Sequence, residues 1–162
     1  MDSHMPTHIQ PAHGREVILS GTASDSHTWN LIFLQLLLEE HGYQVANLGA
    51  CVPDELLLER CEADLPDLVV LSSVNGHGYY DGARAVRLLR ASPALRGTPI
   101  LIGGKLGISS AEPHRAAALL DAGVDAVFGD DQAGLDAFRA LIDRIAAQDR
   151  PTVAAPRTRV LV

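Results

Sequence analysis

The sequence predicts a doubly wound α/β fold, a five-stranded parallel sheet with helices on both faces. Three observations point there. Short β-branched apolar runs alternate with longer helix-like stretches through the middle of the chain. Glycines punctuate the ends of those runs, and the connections between them are short. A chain of 162 residues, 47% hydrophobic and 20% charged, is long enough to bury the core of one such domain.

Taken in order, Glu16–Ser20 (EVILS), followed by Gly21, reads as a buried first strand. Trp29–His41 is apolar nearly all round and closes on Glu39, Glu40 and Gly42, which predicts a buried helix with a glycine stop. Tyr43–Leu48 reads as a second strand. Pro53 then introduces a helix over Asp54–Glu62, with Leu56, Leu57 and Leu58 on a helical face. Asp67–Ser73 (DLVVLSS) is the most apolar strand and is expected at the sheet centre. Gly76 and Gly78 break the chain before a helix through Arg84, Val86, Leu88 and Arg90. Pro99–Ile102 is the fourth strand and runs into Gly103-Gly104. A helix over Pro113–Ala122, a short strand Ala126–Phe128 and a last helix over Ala133–Ala147 follow, the last with Leu135, Phe138, Leu141, Ile142 and Ile145 at helical spacing. Five strands alternating with five helices predict the flavodoxin-like (Rossmann-like) order 2-1-3-4-5, with no repeat and no second domain. Residues 1–14 are expected to be a flexible N-terminal segment in which Met1–His4 read as a cloning remnant. Residues 15–148 form the domain, and 149–162, with Pro151 and Pro156, form a loose tail.

Composition narrows the function. A formal charge of -7 leaves no basic stripe for nucleic acid. No apolar run reaches the roughly 18 residues of a membrane span, and Met1–Gly14 lacks the apolar stretch of a signal peptide. Cys51 and Cys61 make no CxxC pair and read as two free thiols of a cytoplasmic protein.

In the predicted order, ligands sit beyond the carboxyl ends of the first, third and fourth strands. Those ends carry Gly21-Thr22-Ala23-Ser24-Asp25-Ser26-His27, Ser72-Ser73-Val74-Asn75-Gly76-His77-Gly78, and Gly103-Gly104-Lys105-Leu106-Gly107. Glycines there let the backbone approach another body closely. Asp25 stands two residues before His27, placed to accept its Nδ1–H and to leave Nε2 as the ligand nitrogen. Alternatively, Asp25 simply caps the following helix and His27 is a surface residue. No second or third ligand stands at zinc-like spacing, so a lone histidine makes sense for a metal already held by a macrocycle, a haem or a corrinoid.

The set Asp25-x-His27, Ser72-x-Val74 and Gly103-Gly104 resembles the D-x-H-x-x-G, S-x-L and G-G signature of cobalamin-binding domains. It is most similar to that of the small subunit of glutamate mutase (methylaspartate mutase). The resemblance runs from about Val17 to Ile145 and includes Ser72-Ser73-Val74-x-Gly76-x-Gly78 with Asp81 shortly after. It implies that His27 replaces the dimethylbenzimidazole base below cobalt and that Asp25 bonds His27. The displaced nucleotide tail would run into a slot between sheet and helix, meeting the Ser72 hydroxyl, Val74, and the backbone at Gly103 and Gly104. Ser24, Ser26, Thr28 and Gly76 are expected to meet the cofactor from the same loops. The implied cofactor is adenosylcobalamin. The implied partner is a larger TIM-barrel catalytic subunit, since this chain carries no substrate pocket and no catalytic residue of its own.

Two positions depart from the pattern. Asn30 replaces the glycine that closes the first motif and adds bulk near the corrin or its tail, and Val74 replaces a leucine. Gly129-Asp130-Asp131 differs from the family turn and is expected to make no tail contact. His77 and Lys105 read as solvated loop residues, although Lys105 suits a phosphate. A corrinoid methyl carrier is the rival reading, disfavoured because about fifteen residues precede the first strand where such carriers bring a helical cap. A regulatory module is the third. A phosphoacceptor receiver would need an aspartate where Ser72-Ser73 stand, and a flavodoxin would need a phosphate cradle in the first loop.

Overall fold

The computed structural model describes residues 14–106, 113–148 and 160–161. The expectations for residues 1–13, for Gly107 and for most of the C-terminal tail lie outside these described residues. The elements run β1 (Arg15–Gly21), α1 (Trp29–Glu40), β2 (Tyr43–Asn47), α2 (Asp54–Asp64), β3 (Leu68–Ser73), α3 (Gly78–Ala91), β4 (Ile100–Gly104), α4 (Pro113–Ala122), β5 (Ala126–Phe128), α5 (Gln132–Ala147) and β6 (Val160–Leu161), with a short 3-10 turn at Pro93–Leu95. The strand order is β2-β1-β3-β4-β5-β6, every neighbour parallel. The first five strands thus stand in the flavodoxin-like order 2-1-3-4-5.

The sixth strand corrects one expectation. Val160–Leu161, placed by the sequence in a loose tail, pairs with Ala126 and Val127 of β5. A three-residue edge strand leaves its outer N–H and C=O groups unpaired, and a short β-prone segment satisfies them.

The central β3 is buried at every position because both of its faces are covered. Val69 and Leu71 pack with Leu57 and Cys61 of α2, Val86 and Leu89 of α3, and Leu119 of α4. Leu68 and Val70 pack on the opposite face with Leu31 and Leu38 of α1 and Phe138, Ile142 and Ile145 of α5. The buried Tyr43 hydroxyl, its pKa pushed up to about 12 by burial, donates to the Ile142 carbonyl at 2.6 Å and ties the start of β2 to α5.

Helix α1 differs from the expected all-round burial. It buries Asn30, Leu31, Leu37 and Leu38 but leaves Trp29, Ile32, Phe33 and Leu36 exposed. A helix lying on a sheet buries only the stripe it presents to that sheet, whatever the polarity of its outer faces. It ends where Gly42, at φ +85°, turns the chain into β2. Both cysteines are free: Cys51 is exposed, while burial pushes the Cys61 thiol up to about 12. Among the described residues no helix is long and apolar enough to cross a membrane.

Candidate functional site

The carboxyl ends of the parallel strands bring three loops together, and Asp25 is the residue that joins them. Its side chain is 1% exposed. Oδ1 accepts the His27 backbone N–H at 3.0 Å and lies 2.6 Å from His27 Nδ1, while Oδ2 accepts the Val74 backbone N–H at 2.5 Å. The Asp25 carbonyl accepts the Cys51 N–H at 2.9 Å from the loop after β2. Burial alone would raise the Asp25 pKa. The His27 and Val74 backbone N–H groups, the His27 side chain and the Ser73 hydroxyl outweigh it, and the carboxyl is held below its ordinary 3.8. The helix-cap alternative for Asp25 does not hold, because the N-cap of α1 is Thr28 and no side chain bonds that helix end.

With Nδ1 engaged by Asp25, Nε2 is the remaining nitrogen on a ring that is 47% exposed. A second polar cluster holds the same loop from the other side. The Ser24 hydroxyl bonds the Asp81 carboxylate, and Asn75 Nδ2 donates to the Ser24 carbonyl and hydroxyl, each at 3.1 Å. Arg84 then bridges Asp81 at 3.0 Å and Asp54 at 2.5 Å, so α2 and α3 share the anchoring.

Beside this loop a slot of about 240 Å³ opens between the sheet and the α1–α5 layer. Its wall is mostly apolar, from Trp29, Phe33, Leu101, Phe128 and Phe138, the last two in edge-to-face contact at 5.3 Å. Ser72, Val74, Gly103 and Gly104 line it, as does Asn30. Ser24, Ser26, His27 and Thr28 stand exposed outside the slot on the first loop. Gly76 lies away from the slot in the turn where its N–H donates to the Lys105 carbonyl. His77 and Lys105 are exposed loop residues.

The fifth-strand loop, to which the sequence reading gave no tail contact, also borders the slot. Gly129, Asp130 and Asp131 line the slot, and Asp131 caps α5 by accepting the Gly134 N–H at 2.8 Å. β5 is the neighbour of β4, so its carboxyl end opens on the same edge; that adjacency was the available signal. The two adjacent glycines also part company. At Gly104, φ is +105° and a Cβ would lie 2.3 Å from the Ser73 carbonyl oxygen, so the packing of β3 against β4 already demands glycine. At Gly103 a Cβ would meet Phe128 at 3.4 Å, close to ordinary contact. Gly104→Ala is therefore expected to cost about 2–3 kcal/mol, and Gly103→Ala less than about 1 kcal/mol, read as urea midpoints at unchanged slope.

Among the described residues no three His, Cys, Asp or Glu side chains gather to hold a bare metal ion. One oriented imidazole beside an apolar slot instead fits a metal that arrives within its own macrocycle. A slot of this size exceeds the roughly 150 Å³ cavity that admits benzene, so a bicyclic base is within its capacity.

Residues 15–151 match the family model of the B12 binding domain. The chain belongs to the B12-binding domain family. Within that family it is similar to the glutamate mutase sigma subunit of Fusobacterium nucleatum, 27% identical over 96 residues, covering 59% of this chain and 70% of that one. It is 26% identical over 91 residues to the glutamate mutase sigma subunit of Treponema denticola, covering 56% and 65%. A solved cobalamin-binding protein from Desulfitobacterium hafniense shares the fold of this B12-binding domain, with a TM-score of 0.66 at 19% identity. That match covers 82% of this chain and 59% of the other, so the chain spans little more than half of its length.

Proposed function

We propose that this chain is the cobalamin-carrying subunit of an adenosylcobalamin-dependent carbon-skeleton mutase that interconverts glutamate and 3-methylaspartate. The observation that carries the reading is the 2.6 Å contact between Asp25 and His27 Nδ1, at the mouth of an apolar slot, in a B12-binding domain. The similarity to two glutamate mutase sigma subunits supports the choice of reaction.

In this proposal His27 Nε2 is the lower ligand to cobalt, and the cofactor is held base-off. Asp25 fixes the ring and its tautomer, and its own bonds to His27 and Val74 keep it ionised for that task. The slot takes the nucleotide tail, with Ser72, Val74, Gly103 and Gly104 along its wall. Ser24, Ser26 and Thr28 would help hold the cofactor from the first loop, and Gly76 would do so from the turn after β3. When bound, adenosylcobalamin supplies radical chemistry through cobalt–carbon homolysis. The chain's own work is to bind and orient that group. Substrate binding falls to a larger TIM-barrel subunit covering the corrin's upper face, in the cytoplasm.

The test combines this chain with the large subunit of a glutamate mutase, adenosylcobalamin and glutamate, and measures 3-methylaspartate. Formation that requires both proteins is the expected result. Methyl transfer to and from the bound corrinoid with no mutase partner present would instead make the chain a methyl carrier.

A further inference from the structure

Asn30 sits inside the slot with half of its amide unanswered. It is the second residue of α1 and is 5% exposed. Its Nδ2 donates to Ser72 Oγ at 2.8 Å, across the gap between helix and sheet. Its Oδ1 is buried without a hydrogen-bond partner among the described residues. Either orientation of the amide leaves one of its polar atoms unsatisfied, because the Ser72 hydroxyl can engage only one of them. A buried acceptor left unpaired is costly in free energy, and an apolar residue of the same size would avoid that cost. Val74, Leu101, Phe128 and Phe138 of the wall offer no side-chain donor, and neither Trp29 nor Gln132, lining residues that carry one, bonds Asn30 Oδ1.

Ser72 spends a lone pair on Asn30 and keeps its own O–H. The pair therefore presents one acceptor and one donor side by side in a mostly apolar channel. We infer that Asn30 Oδ1 is a hydrogen-bond acceptor for an N–H or O–H donor on the molecule that fills the slot, and so a residue that helps select the slot's occupant. Resting on the reading above, that occupant is the cobamide's nucleotide tail, and the donor is a ribose hydroxyl or, in a cobamide whose lower base carries one in place of dimethylbenzimidazole, an exocyclic amine. Asn30 in place of glycine is then a contact rather than an obstruction.

The test is spectroscopic titration of the wild-type chain, Asn30→Ala and Asn30→Gly with three corrinoids: cobalamin, the adenine-bearing cobamide, and cobinamide, which lacks the nucleotide tail. Far-UV circular dichroism checks that both variants are folded. Loss of the amide is expected to weaken binding of tail-bearing corrinoids about 5- to 30-fold and to leave cobinamide within about 2-fold. A loss confined to the adenine cobamide assigns the donor to the base amine; an equal loss for both assigns it to the ribose. Unchanged or tighter binding of tail-bearing corrinoids by the variants would overturn the inference and make Asn30 an obstacle. Equal weakening for cobinamide would overturn it too, reducing Asn30 to a structural bond. Failure of all three corrinoids to bind the wild-type chain would instead remove the cobalamin reading itself, and this inference with it.

Discussion

His27→Ala is expected to abolish the histidine-ligated spectrum of bound cobalamin and to weaken binding by about 100-fold or more. Removing a group that merely orients a metal ligand costs about 10- to 100-fold, and removing the ligand itself sets a larger loss. The fold should survive. The ring is half-exposed, and the bond that orders the loop, from the His27 backbone N–H to Asp25, does not depend on the side chain. Stability is therefore expected to fall by no more than about 1.5–3 kcal/mol, the share of one hydrogen bond to a charged acceptor. Titration by absorbance, paired with a thermal melt, separates the two effects. A His27→Ala chain that binds cobalamin with wild-type affinity would exclude ligation by His27.

Asp25→Ala is expected to fail differently, by loosening the domain before any ligand is added. The carboxylate is buried and satisfies the backbone N–H groups of His27 and Val74 on two separate loops. Alanine would strand both donors, and with the charge-assisted bonds gone the cost is about 3–5 kcal/mol. That corresponds to a melting point lower by roughly 6–20 °C for a chain of this size. The pH dependence has a definite sign. Because the folded-state pKa lies below the ordinary 3.8, the Asp25 contribution is fully present above that value and is lost as pH falls through the lowered one. The gap between wild type and Asp25→Ala should stay constant from neutral pH down to about 5, and close only under more acidic conditions. A gap that closes near neutral pH would show that the carboxylate is not the anchor.

How far the sequence foretold this depended on whether the relevant signal was local. Strand runs bounded by glycine announce themselves, so β1 through β5 and their order were legible from pattern alone. Asp25 and His27 were legible for the same reason, being two residues apart in one loop. Helix α1 shows the limit. Its residues are apolar on every side, so no periodicity distinguishes the stripe under Leu31 and Leu38 from the exposed Trp29, Ile32, Phe33 and Leu36. Asp130 and Asp131 were given no tail contact because their turn differs from the family's; that they stand exposed at the slot's rim, with Asp131 capping α5, follows only from the packing of α5 beside β4 and β5. The bulk of Asn30 was evident in the sequence, but its bond to Ser72 spans 42 positions and exists only once α1 packs on β3. The pairing of Val160–Leu161 with β5 is likewise a tertiary event, after two prolines that read as a loose tail.

The central claim is that cobalt takes its lower nitrogen from the protein, and one measurement addresses it directly. The chain is prepared with its histidines labelled in nitrogen-15, loaded with cobalt(II) cobalamin, and examined by electron paramagnetic resonance. Axial ligation by His27 predicts that the nitrogen splitting on the cobalt lines changes from a triplet in unlabelled protein to a doublet in labelled protein. A triplet that persists after labelling would mean that the nitrogen belongs to the cofactor's own base, and would contradict the role given to His27.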